Sequence, residues 1–492
     1  MSKAENNKIQ LSELIYLAYF AVMFGARAIG LYEGMLIYNI TLVVGMLLFL
    51  LKIAMTRHTL AEYLIIGTLL LISLFVYYNT GEKGLLLYFT MMLGMKGVSL
   101  KRVMKLAGWI LSVSFTVLVF LSVTGIRQDI IYIHDRTGFG RVIRHSLGYP
   151  YPNTLFTTYI VLMVLVFYNL GKQTRKELFM TTILFFIGSA YIYLYSCSNT
   201  GLLVAIIYLI LNLYLQLRTK LSWCEKGIAI MAYPACLVFS IIGPLVTKGR
   251  LFELLDKILH NRWAYSYYYL TTEPITLFGI RFGKTPNDNY MIDSSFLYSF
   301  LQIGVIPFLI VTALMLGMII HYVKKEAKTE LAIVLSFCVL GLSDPFFFNL
   351  SFKNILFLFI GELFFEKTVE ISWLNQGILA KKILIFRYGE KMISCQTPVF
   401  TKIHNNLVGI KKIISQRAVK LFWLYMCILF VSIITILMIT YSSNVMGVID
   451  NVEEWEYFRH VLSIGVFGGA FCVGTNVMRY WMKGREKNEN IT

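Results

Sequence analysis

The chain has 492 residues, 57% of them hydrophobic and 15% charged, with a formal net charge of +18. Its mean hydropathy of +0.67 excludes an ordinary soluble domain, where roughly 45–50% of residues are apolar. The positive charge does not point to nucleic acid, and no nucleic-acid partner is expected, because most Lys and Arg fall in short loops on one side of the apolar runs, as orientation signals do.

Apolar runs of about 17–25 residues recur along the sequence, each long enough for a hydrocarbon core about 30 Å thick. They are too long and too uniformly apolar for alternating barrel strands. The predicted fold class is therefore all-α, a polytopic transmembrane bundle of about 14 helices with a large external loop. The predicted spans are 11–31, 35–55, 60–79, 83–95, 106–126, 152–170, 178–195, 199–217, 227–247, 294–320, 329–345, 350–366, 421–441 and 461–481. The first has no small-residue cleavage site after it and reads as a retained helix rather than a signal peptide. Charged residues inside these spans are few, with Arg27 the main one, which weakens an ion-coupled transporter reading.

Alternate loops carry the positive charge. Lys96, Lys101, Arg102 and Lys105 share one; Lys172, Arg175 and Lys176 the next; then Arg218, Lys220 and Lys226; then Lys324, Lys325 and Lys328. Segment 367–420 and the tail (Lys483, Arg485, Lys487) continue the series, while loop 442–460 opposite holds Asp450, Glu453, Glu454 and Glu456. The positive-inside rule puts the basic loops and both termini in the cytoplasm. Three regions follow: 1–366, a membrane domain of about 12 helices; 367–420, a basic segment; and 421–492, a two-helix extension. Segment 367–420 mixes apolar triplets such as Ile383-Leu384-Ile385 with Lys381, Lys382, Lys411 and Lys412. It fits one or two amphipathic helices on an anionic leaflet, or a solvated linker. The seven cysteines are scattered, with neither a disulfide framework nor metal spacing.

Two loops on the opposite side break the charge pattern. The stretch 127–151 holds Arg127, Arg136, Arg141 and Arg144 and no lysine. Guanidinium grips phosphate oxygens in two-pronged fashion, so an anionic ligand near the outer membrane surface is expected. The same arginines also fit a loop held by anionic headgroups. On a helix, Arg141, Arg144 and His145 would share one face. The run Ser146-Leu147-Gly148-Tyr149-Pro150-Tyr151-Pro152-Asn153 fixes an irregular lead-in to the next span, with Asn153 as helix cap or as a site residue.

The second such loop, about 248–293, is far longer than a connection needs. Residues 251–259 read as a short amphipathic helix. The following His260-Asn261-Arg262-Trp263-Ala264-Tyr265-Ser266-Tyr267-Tyr268-Tyr269 suits sugar rings or a membrane interface equally. Arg250, Arg262, Arg281 and Lys284 extend the basic surface. Asp288 and Asp293 are candidate general bases, although Asp293 also suits an N-cap for the helix that follows. There is no Walker loop, no His-Glu-x-x-His and no Gly-x-Ser-x-Gly elbow. A transferase here would need a substrate already activated by lipid. No protein-bound cofactor or metal is implied.

Taken in order, Arg144-His145-Ser146-Leu147-Gly148-Tyr149 with Pro152-Asn153, Ser198-Asn199-Thr200-Gly201, Asn261-Arg262 with Leu277-Phe278-Gly279, and Asp293-Ser294-Ser295-Phe296-Leu297-Tyr298 with Ile303-Gly304-Val305-Ile306 resemble the Wzy-type polysaccharide repeat-unit polymerases. The resemblance is to the capsule and exopolysaccharide branch of Gram-positive bacteria, related to the O-antigen polymerases and ligases. It covers roughly residues 10–366. Family members often have Ser-Arg-Thr-Gly where this chain has Ser198-Asn199-Thr200-Gly201, so no arginine role carries over there. The ligases carry a histidine near the last motif, where this chain has Asp293. The resemblance implies a glycosyltransferase of the plasma membrane that polymerises undecaprenyl-diphosphate-linked oligosaccharides on the outer face. Membrane lipids, a flippase and chain-length regulators would be its partners. Asp293, Arg144 and Arg262 would be catalytic. Arg136, Arg141, His145, Tyr149, Asn153, Arg250, Trp263 and Arg281 would bind substrate. A glycan ligase, and a flippase or exporter of lipid-linked glycan, are the alternative readings. A flippase would line a central cavity with charge from several spans, whereas here the charge concentrates in two external loops.

Overall fold

The computed structural model describes residues 8–136, 140–259, 261–283, 285–286, 291–345, 353–370, 377–394, 410, 413–414, 416–435, 438 and 451–489. In chain order the first elements are β1 (Lys8–Gln10), α1 (Leu11–Ala28), α2 (Leu36–Ala54), β2 (His58–Thr59), α3 (Leu60–Thr80), α4 (Gly84–Leu93) and α5 (Leu100–Val123). A hairpin follows, β3 (Ile131–Arg136) and β4 (Gly140–His145), then α6 (Pro152–Leu170), α7 (Arg175–Ser196), α8 (Asn199–Leu217) and α9 (Trp223–Ile241). Four short helices come next: α10 (Gly243–Val246), α11 (Gly249–Ile258), α12 (Arg262–Thr272) and α13 (Ser295–Gln302). Then come α14 (Val305–Lys325), α15 (Lys328–Leu340), α16 (Leu356–Glu370), β5 (Lys382–Ile383) and β6 (Met392–Ser394). The chain closes with α17 (Gln416–Thr435) and α18 (Asn451–Glu489).

The protein is a multi-pass helical membrane protein. Among the described residues, eleven helices are long and apolar enough to cross a membrane. They are α1, α2, α3, α5, α6, α7, α8, α9, α14, α17 and the stretch Phe458–Tyr480 of α18. The other three expected spans are shorter. α4, α15 and α16 have 10, 13 and 15 residues, and short apolar helices belong inside a protein rather than across lipid. Their burial agrees: in α4 only Leu86 stays partly exposed, and Leu356 through Ile360 of α16 are buried. Tyr88 of α4 stacks on Phe357 of α16 at 4.9 Å. Long helices shield them; α2, by contrast, turns Ile40, Val43, Leu47 and Leu50 outward, a lipid-facing stripe at helical spacing.

Helix starts at one end of the bundle are fixed by polar caps. Thr59 with Glu62, Thr174 with Glu177 and Ser222 with Glu225 form capping boxes on α3, α7 and α9, each cap worth about 1 kcal/mol. The basic loops lie at this same end and meet acids that precede or open the spans. Arg102 pairs with Glu13 at 2.5 Å, Lys96 pairs with Glu62, and Lys52 donates to the Lys96 carbonyl at 2.8 Å. Glu13, Lys52, Glu62 and Lys353 are all buried, so Arg27 is not the main charge in the spans. The apolar runs conceal them because their partners come from other elements.

Other expectations change as well. The span 294–320 is broken at Gly304 into α13 and α14, and 227–247 divides into α9 and α10. Within 377–394 the chain forms no amphipathic helix. Instead β5 pairs with β2 and β6 with β1, both antiparallel, tying this segment to the N-terminus and to the α2–α3 turn. Residues 395–409 lie outside the described residues.

Candidate functional site

The stretch 127–151 is a hairpin, not a helix. β3 and β4 pair from Ile131↔His145 to Arg136↔Gly140, and successive strand residues point to opposite faces. The expected shared face of Arg144 and His145 is therefore wrong. Arg144 reaches the bundle, donating from Nε to the Ser196 carbonyl at 2.7 Å and from Nη2 to Asn153 Oδ1 at 2.7 Å. His145 turns the other way, its Nδ1 2.7 Å from Asp129 Oδ2, with the Ser146 hydroxyl donating to the second oxygen of Asp129 at 3.2 Å. The backbone sets Arg141 opposite Asp135; the side chains of Arg136 and Arg141 lie outside the described residues.

The turn into α6 is tight because Leu147 and Gly148 take φ of 45° and 84°, and a side chain at Gly30 would meet the Gly148 carbonyl at 2.8 Å. Tyr149 is buried, its hydroxyl donating to the Ala28 carbonyl at 3.1 Å. It is a wedge in the core rather than a surface for substrate. Asn153 is not the cap either. Tyr151 takes the N-cap position without a side-chain bond and Pro152 is the first helical residue, which leaves the Asn153 amide to hold Arg144.

In the long loop, α11 forms as expected and has no buried residue; Arg250 is exposed, while Phe252, Leu255 and Asp256 are half-buried. Asn261 adopts a left-handed conformation, φ 66°, and starts α12 at Arg262. Arg262 Nε then donates to Asp293 Oδ2 at 2.6 Å, joining two of the expected catalytic residues. The pair is about one-third exposed on each side (28% and 33%). Asp293 is not a cap: Ser294 occupies that position with no side-chain bond. Trp263 is buried, its Nε1 donating to Thr247 Oγ1 at 2.8 Å and its ring 4.7 Å from Phe239. It anchors the loop and offers no face to a sugar. Among the described residues of these two loops, Tyr151 and Tyr267 are the exposed aromatics. The guanidinium of Arg281 lies 3.2 Å from where a Gly81 side chain would begin, at the end of α3. Lys284 and Asp288 lie outside the described residues.

Two glycine motifs explain how the loop returns to the bundle. Val305 and Ile306 donate their amides to the carbonyls of Thr276 and Leu277 at 3.0 and 3.1 Å. A Cβ at Gly279 would stand 2.0 Å from the Gln302 carbonyl, and one at Gly304 2.2 Å from the Gly279 nitrogen; both glycines have φ above +80°. Only glycine fits either position.

Four further charged groups that the sequence did not single out are held at this end of the bundle. Asp344 accepts a hydrogen bond from Thr157 Oγ1 at 2.9 Å, and its backbone carbonyl takes the Ser295 hydroxyl. Asp293, Lys353 and Arg262 are its charged neighbours. Lys353, buried, donates to Thr158 Oγ1 and lies 5.1 Å over the Tyr149 ring. Glu82 is hydrogen-bonded by Tyr298; burial pushes its carboxyl above the ordinary range, and Glu33 adds to that. Arg459 of α18 donates to the carbonyls of Leu194 at 2.9 Å and Ile143 at 3.1 Å, so the C-terminal extension props β4 directly. Asp344 and Lys353 sit in apolar runs and Arg459 in a segment remote in sequence; only their three-dimensional neighbours mark them.

Residues from three of the sequence motifs, Arg144 with Asn153, Arg262 and Asp293, thus come together near the N-terminal turns of α6. Arg144, Asn153, Thr157 and Thr158 lie on or against that helix, and Asp344, Lys353, Asp293 and Arg262 are linked to it. The chain matches no protein-family model, no curated protein and no solved structure.

Proposed function

We propose that the protein is a glycosyltransferase of the bacterial plasma membrane that polymerises undecaprenyl-diphosphate-linked oligosaccharides on the outer face, with the hairpin end outside and both termini in the cytoplasm. The observation that carries this reading is the Arg262–Asp293 contact beside a second carboxylate, Asp344, and the buried cation Lys353, with Arg144 held on Asn153 one turn of α6 before Thr157. It supports the reading because a carboxylate suited to act as a base lies beside cations suited to a diphosphate leaving group.

In the proposed step, a hydroxyl oxygen of an incoming lipid-linked unit attacks the anomeric carbon of the growing chain. Asp293 accepts the hydroxyl proton, a role worth about 10²–10⁴-fold for a positioned base. The bond from the anomeric carbon to the lipid diphosphate breaks, and the electron pair leaves with the diphosphate. Charge developing there is stabilised by guanidinium groups already oriented for it. Arg262 uses its Nε on Asp293, and its two terminal nitrogens meet no protein acceptor among the described residues. Arg144 is oriented by Ser196 and Asn153. A lipid-borne diphosphate travels at headgroup depth, where helix ends and hairpin meet. The purified protein in lipid vesicles, given lipid-linked repeat units and no second acceptor, should yield a ladder of products on a gel. A single transfer product would favour a ligase, and translocation without new glycosidic bonds a flippase.

A further inference from the structure

We propose a second binding site, for a phosphorylated ligand bearing a free hydroxyl, in the cavity at the opposite end of α6. The cavity has a volume of about 900 Å³, the size of a small-molecule pocket. Four separate connections feed cations into it: Lys101 and Lys105 from the start of α5, Lys172 and Arg175 from the α6–α7 turn, Arg218 from the end of α8, and Lys328 from the start of α15. Two carboxylates, Glu326 and Glu330, oppose these six.

The pairing inside the cavity is incomplete. Glu326 is held by Lys226 at 2.6 Å and Arg218 by Glu225 at 3.0 Å. Lys328 is bonded to the backbone carbonyls of Arg218 and Thr219. Lys101, Lys105, Lys172 and Arg175 have no ion pair or hydrogen bond among the described residues. On the same wall Asn212 is 1% exposed, and its carbonyl oxygen has no donor, a costly omission for a buried polar atom.

An orientation signal needs positive charge on one side of the membrane. It does not need that charge gathered from four loops around one concavity, where like charges repel, nor an unsatisfied buried amide in the wall. A phosphate group offsets the repulsion, and a ligand hydroxyl donates to Asn212. Phosphate and hydroxyl occur together both in small soluble glycerol or sugar phosphates and in the headgroup of phosphatidylglycerol.

The test uses the full chain purified in an uncharged detergent, with glycerol 3-phosphate, inorganic phosphate and short-chain phosphatidylglycerol as probes. Binding is read by calorimetry, and lipid retention by native mass spectrometry. Saturable binding of glycerol 3-phosphate supports a soluble ligand; binding of phosphatidylglycerol alone supports a headgroup. In either case Lys105→Gln with Arg175→Gln, both exposed positions, should raise the apparent Kd at least about tenfold, while Lys324→Gln on the same face should not change it. Asn212→Leu should weaken glycerol 3-phosphate more than inorganic phosphate. No saturable binding of any probe, equal affinity in the double variant, or equal loss in Lys324→Gln overturns the proposal. Retained preference for glycerol 3-phosphate in Asn212→Leu overturns the hydroxyl assignment.

Discussion

The two ends of α6 stand roughly 28 Å apart at 1.5 Å per residue and treat positive charge in opposite ways. At the hairpin end four described cations near the helix are committed to the protein. Arg144 is bonded to Ser196 and Asn153, Arg262 to Asp293, Lys353 to Thr158, and Arg459 to Leu194 and Ile143. At the other end Lys101, Lys105, Lys172 and Arg175 ring a cavity without partners among the described residues. Three of the four fixed cations are arginines and three of the four open ones are lysines. A planar fork held in place by its own acceptors is organised before a ligand arrives, whereas a flexible ammonium adapts to one. The contrast separates a site built for a single geometry from one built for attraction.

If the hairpin end is catalytic, the largest effect belongs to the base. Asp293→Asn should lower polymerisation turnover by about 10²–10⁴-fold with lipid-linked donor binding largely retained, measured on purified protein. Full polymer length at the normal rate would reduce Asp293 to a tether for Arg262. Next come the arginines. Arg144→Lys and Arg262→Lys keep charge but lose the fork, and each should cost about ten- to a hundredfold, nearly as much as the alanine variants. At the opposite end Lys324→Ala should leave the rate unchanged, which sharpens the contrast between the two ends.

A smaller effect is expected from the C-terminal extension. Arg459→Gln removes the support of β4, so polymerisation should fall by about tenfold or less, as one hydrogen-bonded charge is lost away from the reacting atoms. A loss as deep as that of Arg144→Lys would move Arg459 into the substrate site itself. The orientation of the bundle is tested without kinetics. Cysteines introduced in 127–151 should label from outside intact cells, and those in 96–105 should not. The reverse pattern would invert the assignment of the two ends.

Much of the fold was legible because lipid-facing surfaces must be apolar, so α2 or α14 can be seen in any hydropathy reading. The same signal marks α4, α15 and α16, which among the described residues are shorter than the other spans, since a helix buried in protein is as apolar as one bathed in lipid. The hairpin carried a readable sign that the helical expectation overlooked: alternation in Ile131-Tyr132-Ile133-His134 and punctuation by Gly138 and Gly140. Arg144, Arg262 and Asp293 were legible as residue types in ordered motifs, and Gly279 and Gly304 as motif members, although their mutual contact was not. Trp263 and Tyr149 were misjudged, because aromatic residues beside polar ones look alike whether they bind sugar or plug a core. Asp344 and Lys353 were hidden inside apolar runs, where one charge barely alters the average.

The proposed chemistry depends most directly on the guanidinium groups that grip the diphosphate. The decisive measurement is polymer formation by purified protein in lipid vesicles supplied with lipid-diphosphate repeat units, comparing wild type, Arg262→Lys and Arg262→Ala at equal protein. Wild type should give a ladder, and both variants should show a comparable loss of about ten- to a hundredfold. A full ladder from Arg262→Lys would contradict this, because charge alone would then suffice and the hairpin end would be only an interfacial surface.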